Sequence, residues 1–333
     1  MVKLIQPPAA AQRHNPPLVG DPRKRLVSTL CPHWDIMHVD FDSPFEGGYR
    51  NRNYRFDYAD QGYVLRVPGH AGEIDRAVEA QVLQTLSDGF APKNPGNTLQ
   101  SRYCVTAEVI AFDLDTGAMI SRFCPWPLLV HTPTIDGQQL GTYLATLHNT
   151  LGGLSAPLRQ AIAGQPSCQD LIAADLKRAL APARVIEQLG GLTDSAPLTQ
   201  LSHQDLNPWN LLLEPGGNGA WMTLDWETLG LNLELFDLVS LVEGYALAGE
   251  CNGTMLTQLR TSSRDAYCNA RATQSSATAN LSTAHYEQAL CLFYWREYAW
   301  AAAQVARGNR LAEIQTQRTH YSRLLDQLGF VLA

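Results

Sequence analysis

No apolar run in the 333-residue chain reaches the roughly 18 residues that a membrane-spanning helix requires. The segment Met1 to Asp21 has no apolar core of the signal-peptide kind. It is rich in Pro, Ala and Gln and reads as a flexible leader over residues 1–22. Cysteine is sparse: seven residues, an odd number, with no Cys-x-x-Cys spacing. That argues against a disulfide framework and a zinc site, and for free thiols in a reducing cytoplasm. An excess of positive charge is also missing. The net charge of −7 disfavours a general nucleic-acid surface. There is no internal repeat, and the low-complexity stretch Gln274 to Ser282 reads as a loop. What is present is enough chain for two lobes and a large core, with an ordinary apolar content of 45%.

The most informative segment is Leu201-Ser202-His203-Gln204-Asp205-Leu206-Asn207-Pro208-Trp209-Asn210, followed by Leu211 to Leu213 and Thr223-Leu224-Asp225-Trp226-Glu227. Leu211 to Leu213 reads as a buried strand, Glu214 to Gly219 as a turn, and Trp221 to Leu224 as the returning strand. This hairpin is expected to bring Asp225 back beside Asp205 and Asn210. Two carboxylates and an amide so arranged suit phosphoryl transfer from Mg-ATP. One carboxylate orients a hydroxyl, and the amide with the second carboxylate holds magnesium, which prefers hard oxygen ligands.

His-x-Asp-x-x-x-x-Asn followed by Asp-Trp-Glu resembles the small-molecule kinases related to choline kinase, thiamine kinase and the aminoglycoside phosphotransferases. The step Glu234-Leu235-Phe236-Asp237-Leu238 resembles the same group. The resemblance implies an α+β, two-lobed protein-kinase-like fold with an N-terminal antiparallel sheet plus helix and a mainly helical C-terminal lobe. It implies ATP and Mg2+ as cofactors, Asp205 as catalytic base, and Asn210 and Asp225 as magnesium ligands. His203 and Asp237 are then structural supports of the catalytic loop.

The N-terminal half agrees with this. Gly47 and Gly48 lie between two strand-like runs, Ile36 to Phe41 and Tyr54 to Tyr58. Adjacent glycines let a backbone turn approach phosphate oxygens. With Asn51, the pattern Gly-Gly-x-x-Asn-x-x-Tyr is similar to the phosphate-covering loop of the choline-kinase-like group. Tyr63 to Pro68 reads as the next strand, and Arg66 stands where related kinases carry the ATP-binding lysine. A guanidinium binds phosphate oxygens as a fork. Glu73 to Leu86 has helical periodicity and offers two partners for Arg66, Glu79 and Glu73. Ala107 to Phe112 and Ala118 to Phe123 read as strands joined by a turn at Asp113 to Gly117. Arg122 to Pro127 reads as a connector, and by resemblance Arg122 and Cys124 belong to the hinge that meets the adenine. The lobes are therefore 23–124 for the nucleotide and 125–333 for catalysis and the acceptor.

Farther on, Gly137 to Leu147 is an amphipathic helix ended by His148, and Leu171 to Leu189 is a helical stretch interrupted by Pro182. Glu287 to Val305 is a helix carrying Trp295, Tyr298 and Trp300. These aromatic residues fit either core packing or a wall that binds a cationic acceptor. Glu227 is expected to add negative charge to the same pocket. Both features point to a small cationic alcohol such as choline, ethanolamine or thiamine. Only eleven residues separate Asp225 from Asp237, too few for the segment on which protein kinases dock peptides. Two alternatives stand beside this reading: an antibiotic phosphotransferase, and an inactive nucleotide-binding scaffold.

Overall fold

The structure is a computed structural model. It describes residues 3–5, 21–45, 51–69, 75–90, 105–132, 134–193, 198–215, 220–248, 253–272 and 281–332. Two compact units emerge from its contacts. The first is Met1–Pro127 with Leu212–Glu227, and the second is Leu128–Leu211 with Thr228–Ala333. Leu212–Glu227, expected in the second lobe, therefore clusters with the first unit and takes Asp225 with it.

The first unit is built on strands β1 (Lys3–Ile5), β2 (Phe41–Pro44), β3 (Asn51–Tyr58), β4 (Gln61–Pro68), β6 (Val109–Asp113) and β7 (Met119–Arg122). They form one sheet in the order β1-β6-β7-β4-β3-β2. Every neighbouring pair is antiparallel except the edge pair β1–β6. The leader expected to be loose thus contains a strand, because Lys3-Leu4-Ile5 precedes the proline-rich stretch and pairs with Ala111, Phe112 and Asp113. Helix α1 (Pro22–Leu30) starts where Asp21 accepts the Arg23 N–H at 2.9 Å and proline occupies the first turn.

β4 is covered on both faces. Tyr63 and Leu65 pack with Val27 and Leu30 of α1 and with Phe56 and Ile120, while Arg66 on the opposite face is only 4% exposed. Ile36 to Phe41 is not a strand: the chain turns at residues 37–38 and β2 begins at Phe41. Asp35 Oδ1 accepts the Met37 N–H and Ile36 O accepts the Val39 N–H, so the buried pair Ile36 and Val39 repeats at three, a turn spacing. Helix α2 runs over Arg76–Phe90. A second, three-stranded sheet joins β5 (Val105–Thr106), β10 (Trp221–Thr223) and β9 (Leu211–Leu213) in that order. The hairpin expected after Asn210 is there, with Ala220 O accepting the Glu214 N–H at 2.9 Å.

The second unit is mainly helical: α3 (Gly137–Gly152), α4 (Ala156–Ala163), α5 (Cys168–Arg178), α6 (Ala183–Thr193), α7 (Phe236–Ala248), α8 (Gly253–Ala272), α9 (Thr283–Ala306) and α10 (Ala312–Gln327). α3 begins at the Asp136 cap and continues past Leu147, so His148 is an interior residue rather than the helix end. The stretch around Pro182 resolves into the separate helices α5 and α6, with Leu180 in a left-handed conformation at φ 56°. α7 is buried without a break from Phe236 to Tyr245, as befits the central helix of the unit. Strand β8 (Gln200–Ser202) pairs antiparallel with β11 (Gly230–Asn232), which brings the segment after β8 close to the start of α7. The expected α+β, protein-kinase-like plan is thus the fold the chain adopts. No helix among the described residues is long and apolar enough to cross a membrane.

Candidate active site

The loop between β8 and β9 is held by one buried carboxylate. Asp237, in the first turn of α7 and 0% exposed, accepts the backbone N–H of His203 at 2.9 Å and of Gln204 at 3.1 Å. Its Oδ2 also lies 3.1 Å from His148 Nε2. Burial alone would push the Asp237 carboxyl up. The hydrogen bond and charge of His148, the charge of His203 and the Ser202 hydroxyl outweigh it and hold the group below its ordinary value of 3.8. Its ionised form therefore stabilises the fold fully above about pH 3.8, and that contribution is lost as pH falls through the lower folded-state value. Behind His148 the network continues. His148 Nδ1 is 2.7 Å from the Tyr267 hydroxyl, which donates to Glu234 Oε1 at 2.7 Å, and Arg271 pairs with Glu234 at 3.0 Å.

Gln204 takes φ 64°, the left-handed region that a side chain rarely enters. Such strain costs about 1–3 kcal/mol and is kept only where surrounding contacts impose it. Here the Asp237 bond and the close approach of Gly230 impose it. A Cβ at Gly230 would lie 1.9 Å from Gln204 Nε2 and 2.6 Å from Pro166 O. Gly230→Ala is therefore expected to displace Gln204, with a fall in turnover of at least about tenfold in a folded protein, equivalent to about 1.4 kcal/mol of transition-state positioning. Steady-state kinetics beside a thermal melt check this, and unchanged turnover would refute the packing argument.

Asp205 follows on this loop and is half-buried. Asn210 Nδ2 donates to Asp205 O at 2.8 Å. Asn207 Nδ2 donates to Asp205 O at 3.2 Å and approaches Asp205 Oδ1 at 3.4 Å, while Asn207 Oδ1 accepts the Trp209 N–H at 3.0 Å. With its nitrogen committed to the loop, Asn210 offers a carbonyl oxygen as its ligand atom. Asn207 was not singled out by spacing, although Asp-x-Asn-Pro is an Asx-turn signature. His203 is fully buried and its carbonyl accepts the Thr228 hydroxyl at 2.9 Å.

The first unit assembles a second cluster. Arg66 Nη1 donates to Glu79 Oε1 at 2.5 Å, and its Nε and Nη2 donate to Gly117 O at 3.1 and 2.9 Å. Of the two candidate partners, Glu79 makes the pair, and Glu73 lies outside the described residues. Arg76 Nη1 bridges Glu79 Oε2 at 2.8 Å and Glu227 Oε2 at 3.0 Å, and Asn51 Nδ2 donates to Glu227 Oε2 at 3.1 Å. Burial disfavours the Arg66 charge, but Glu79, then Asp225 and Glu227, overcome this and raise its affinity for the proton. Gly117 has φ 77°, and a Cβ there would meet Arg76 Nε at 2.4 Å, so the Asp-Thr-Gly turn demands glycine. Asp225 itself takes φ 60°. Gly47 and Gly48 lie outside the described residues.

The structure also places the side chains expected at the acceptor pocket and the hinge. Glu227 does not add free negative charge to an acceptor pocket, because its carboxylate is engaged by Asn51 and Arg76 within the first unit. Trp295 is 0% exposed and packs edge-on against Tyr298 and Phe330, at 6.3 and 5.3 Å between ring centroids, so it belongs to the core and not to a wall. Tyr298 and Trp300 on the same helix are half-buried. Arg122 turns its guanidinium to Gln61, Tyr63 and Glu108 along the sheet. Cys124 is half-buried, and burial pushes its thiol up.

A family model described as "Phosphotransferase enzyme family" (APH) matches residues 43–272. Among solved structures the chain is similar to an ethanolamine kinase from Plasmodium vivax, at 14% identity over 92% of this chain and 86% of that one, with a TM-score of 0.65. It is similar to an amicoumacin kinase held with AMP-PNP, Ca2+ and its antibiotic, at 13% identity over 91% and 92% of the two chains and a TM-score of 0.61. An AMP-bound spectinomycin phosphotransferase follows, at 11% identity, 91% and 93% coverage and a TM-score of 0.53. At such identities the likeness is one of fold. A sequence comparison with curated proteins gave no match.

Proposed function

We propose, from the premise that this chain belongs to the phosphotransferase enzyme family, that it transfers the γ-phosphoryl group of ATP to a hydroxyl of a small cationic metabolite, with choline, thiamine or a related amino alcohol as the acceptor class. The observation that carries the reading is the Asp205 loop: a half-buried carboxylate on a strained turn, braced by the buried Asp237 through two backbone hydrogen bonds. Asp205 orients the acceptor hydroxyl and takes its proton as the bond to phosphorus forms. Asn210 and Asp225 supply a carbonyl and a carboxylate oxygen, the donor set that magnesium takes, and are its proposed ligands. When bound, the metal neutralises phosphate charge. Arg66, fixed by Glu79 and the Gly117 carbonyl, steadies phosphate oxygens, with Gly47, Gly48 and Asn51 as the covering loop and Arg122 to Cys124 as the adenine hinge. Nucleotide binding is assigned to 23–124, and the acceptor to 125–333 without the Leu212–Glu227 segment.

The ethanolamine kinase among the structural relatives supports a small amino alcohol. The amicoumacin and spectinomycin kinases support the second reading, an antibiotic phosphotransferase. A coupled ADP-release screen over amino alcohols, thiamine, sugars and aminoglycosides separates them. The proposal expects kcat/KM for the best amino alcohol or thiamine to exceed that for any aminoglycoside by at least about a hundredfold, a discrimination of about 2.7 kcal/mol. The reverse order would assign the protein to antibiotic modification.

A further inference from the structure

A cavity of about 490 Å³ lies wholly within the second unit, and none of Asp205, Asn210 and Asp225 lines it. Its walls include Ala156, Arg159 and Gln160 of α4, His148 of α3, Gln200 of β8 and Arg271 of α8. Two guanidinium groups thus share one cavity, and no carboxylate among the described residues lines it. In a chain of net charge −7 this is a local excess of positive charge. A volume of this size holds a small metabolite.

The two arginines are fixed in different ways. Arg271 donates to Glu234 at 3.0 Å, to Gln200 Oε1 at 3.1 Å and to Asn149 Oδ1, so its charge is balanced and its head is held. Arg159 is exposed and pairs with no carboxylate among the described residues. Its Nη1 donates to Gly152 O at 2.8 Å and to Leu154 O at 2.9 Å, which commits both Nη1 hydrogens to the turn between α3 and α4. The three remaining N–H groups, on Nε and Nη2, have no partner among the described residues. They lie along one edge of the planar group, and such an edge grips two oxygens of an oxyanion at once. Because Nη1 is anchored, that edge is ordered before any ligand arrives, which lowers the entropy lost on binding. Ala156 is the first residue of α4, and its N-cap Ser155 makes no side-chain hydrogen bond, so the positive end of the helix dipole adds to the same potential. Gln160, four residues on, is an exposed amide on the Ala156 face of α4.

We propose that this cavity is a second binding site, which takes a small metabolite by a phosphate monoester group. Arg159 holds two phosphate oxygens along its Nε–Nη2 edge, and the Gln160 amide donates to the same group. A phosphate suits the site better than a single carboxylate, because a dianion gains more from two guanidinium charges and a helix start. The site shares no residue with the proposed catalytic and nucleotide positions, and the assignment rests on no part of the kinase reading.

The test is calorimetric titration of the full chain with glycerol 3-phosphate and with inorganic phosphate. Mg-AMP-PNP is present at saturation to fill the proposed nucleotide site. Acetate at the same ionic strength serves as the carboxylate comparison. Wild type is expected to bind at least one phosphate probe about tenfold more tightly than acetate. Arg159→Gln removes the free edge and is expected to weaken that binding by at least about tenfold, the usual loss for hydrogen bonds to a charged group. Gln160→Glu leaves the Arg159 anchors in place and adds a carboxylate to the cavity wall. It is expected to weaken phosphate binding by at least about tenfold with the melting temperature held, and it decides the matter if Arg159→Gln does not fold. A wild type that binds neither phosphate probe, or that binds acetate as tightly, overturns the assignment. So does phosphate affinity that both folded variants retain, since the probe would then be bound elsewhere.

Discussion

Asp205→Asn lowers kcat by about a thousandfold and leaves the affinity for an ATP analogue within about threefold. The first figure follows from the role assigned to Asp205: a positioned base contributes roughly a hundred- to ten-thousandfold to a proton-transfer step. An asparagine keeps the shape of the side chain, and the shorter contacts of both loop amides, Asn207 and Asn210, go to the backbone carbonyl of this residue, with only a 3.4 Å approach of Asn207 to its Oδ1. The loop should therefore stay in place while the basic oxygen is lost. Nucleotide affinity should hold because the residues proposed to carry it, Arg66 and its partner Glu79, belong to the other unit. Steady-state kinetics at saturating acceptor, with calorimetric titration of AMP-PNP, read both quantities. Turnover at the wild-type rate would remove Asp205 from the chemistry.

Asp237→Asn destabilises the second unit by about 3–5 kcal/mol, the usual loss when one partner is removed from a buried charged network. The carboxylate is fully buried and accepts two backbone N–H groups besides facing His148. An asparagine has one acceptor oxygen to offer, and its amide nitrogen must face a donor. One of those groups is left unsatisfied in the interior, and the strained Gln204 backbone at φ 64° loses its tether. Chemical denaturation checks the stability, and activity should fall with it. The pH dependence gives a second reading. The wild type loses the Asp237 contribution only below about pH 3.8, and the asparagine variant, having nothing there to titrate, should show a shallower decline in that range. Equal stability in the two proteins would show that Asp237 does not brace the loop.

Much of this was legible in the chain because the relevant signals are local. The hairpin after Asn210 is marked by three leucines, a Pro-Gly turn and a returning apolar run. The central strand β4 is an unbroken run, and Arg66 stands out on it. The network around that arginine was only half legible. The three-residue step from Arg76 to Glu79 places both on one helix face, but nothing in the spacing says that Arg76 also reaches Glu227, 151 residues later. The acceptor side was the least legible. Trp295 and Glu297 lie two positions apart on α9, and a helix turns such neighbours about 200° from each other. Aromatic content drew attention to Trp295, which the fold buries. Glu297 meets the Gln317 amide of α10 at 2.6 Å, a partner that no sequence spacing announces. Ile36 to Phe41 misled for a related reason, since an apolar pair at a spacing of three in a short run reads as a strand until its turn hydrogen bonds are seen.

The most direct test of the central claim is identification of the product. Full-length protein incubated with Mg-ATP and the acceptor panel, followed by 31P NMR and mass spectrometry, should yield a phosphomonoester of one small alcohol in equal amount to ADP, and none with Asp205→Asn. ATP binding without any phosphomonoester across the panel, or the same product yield from the Asp205 variant, would contradict it.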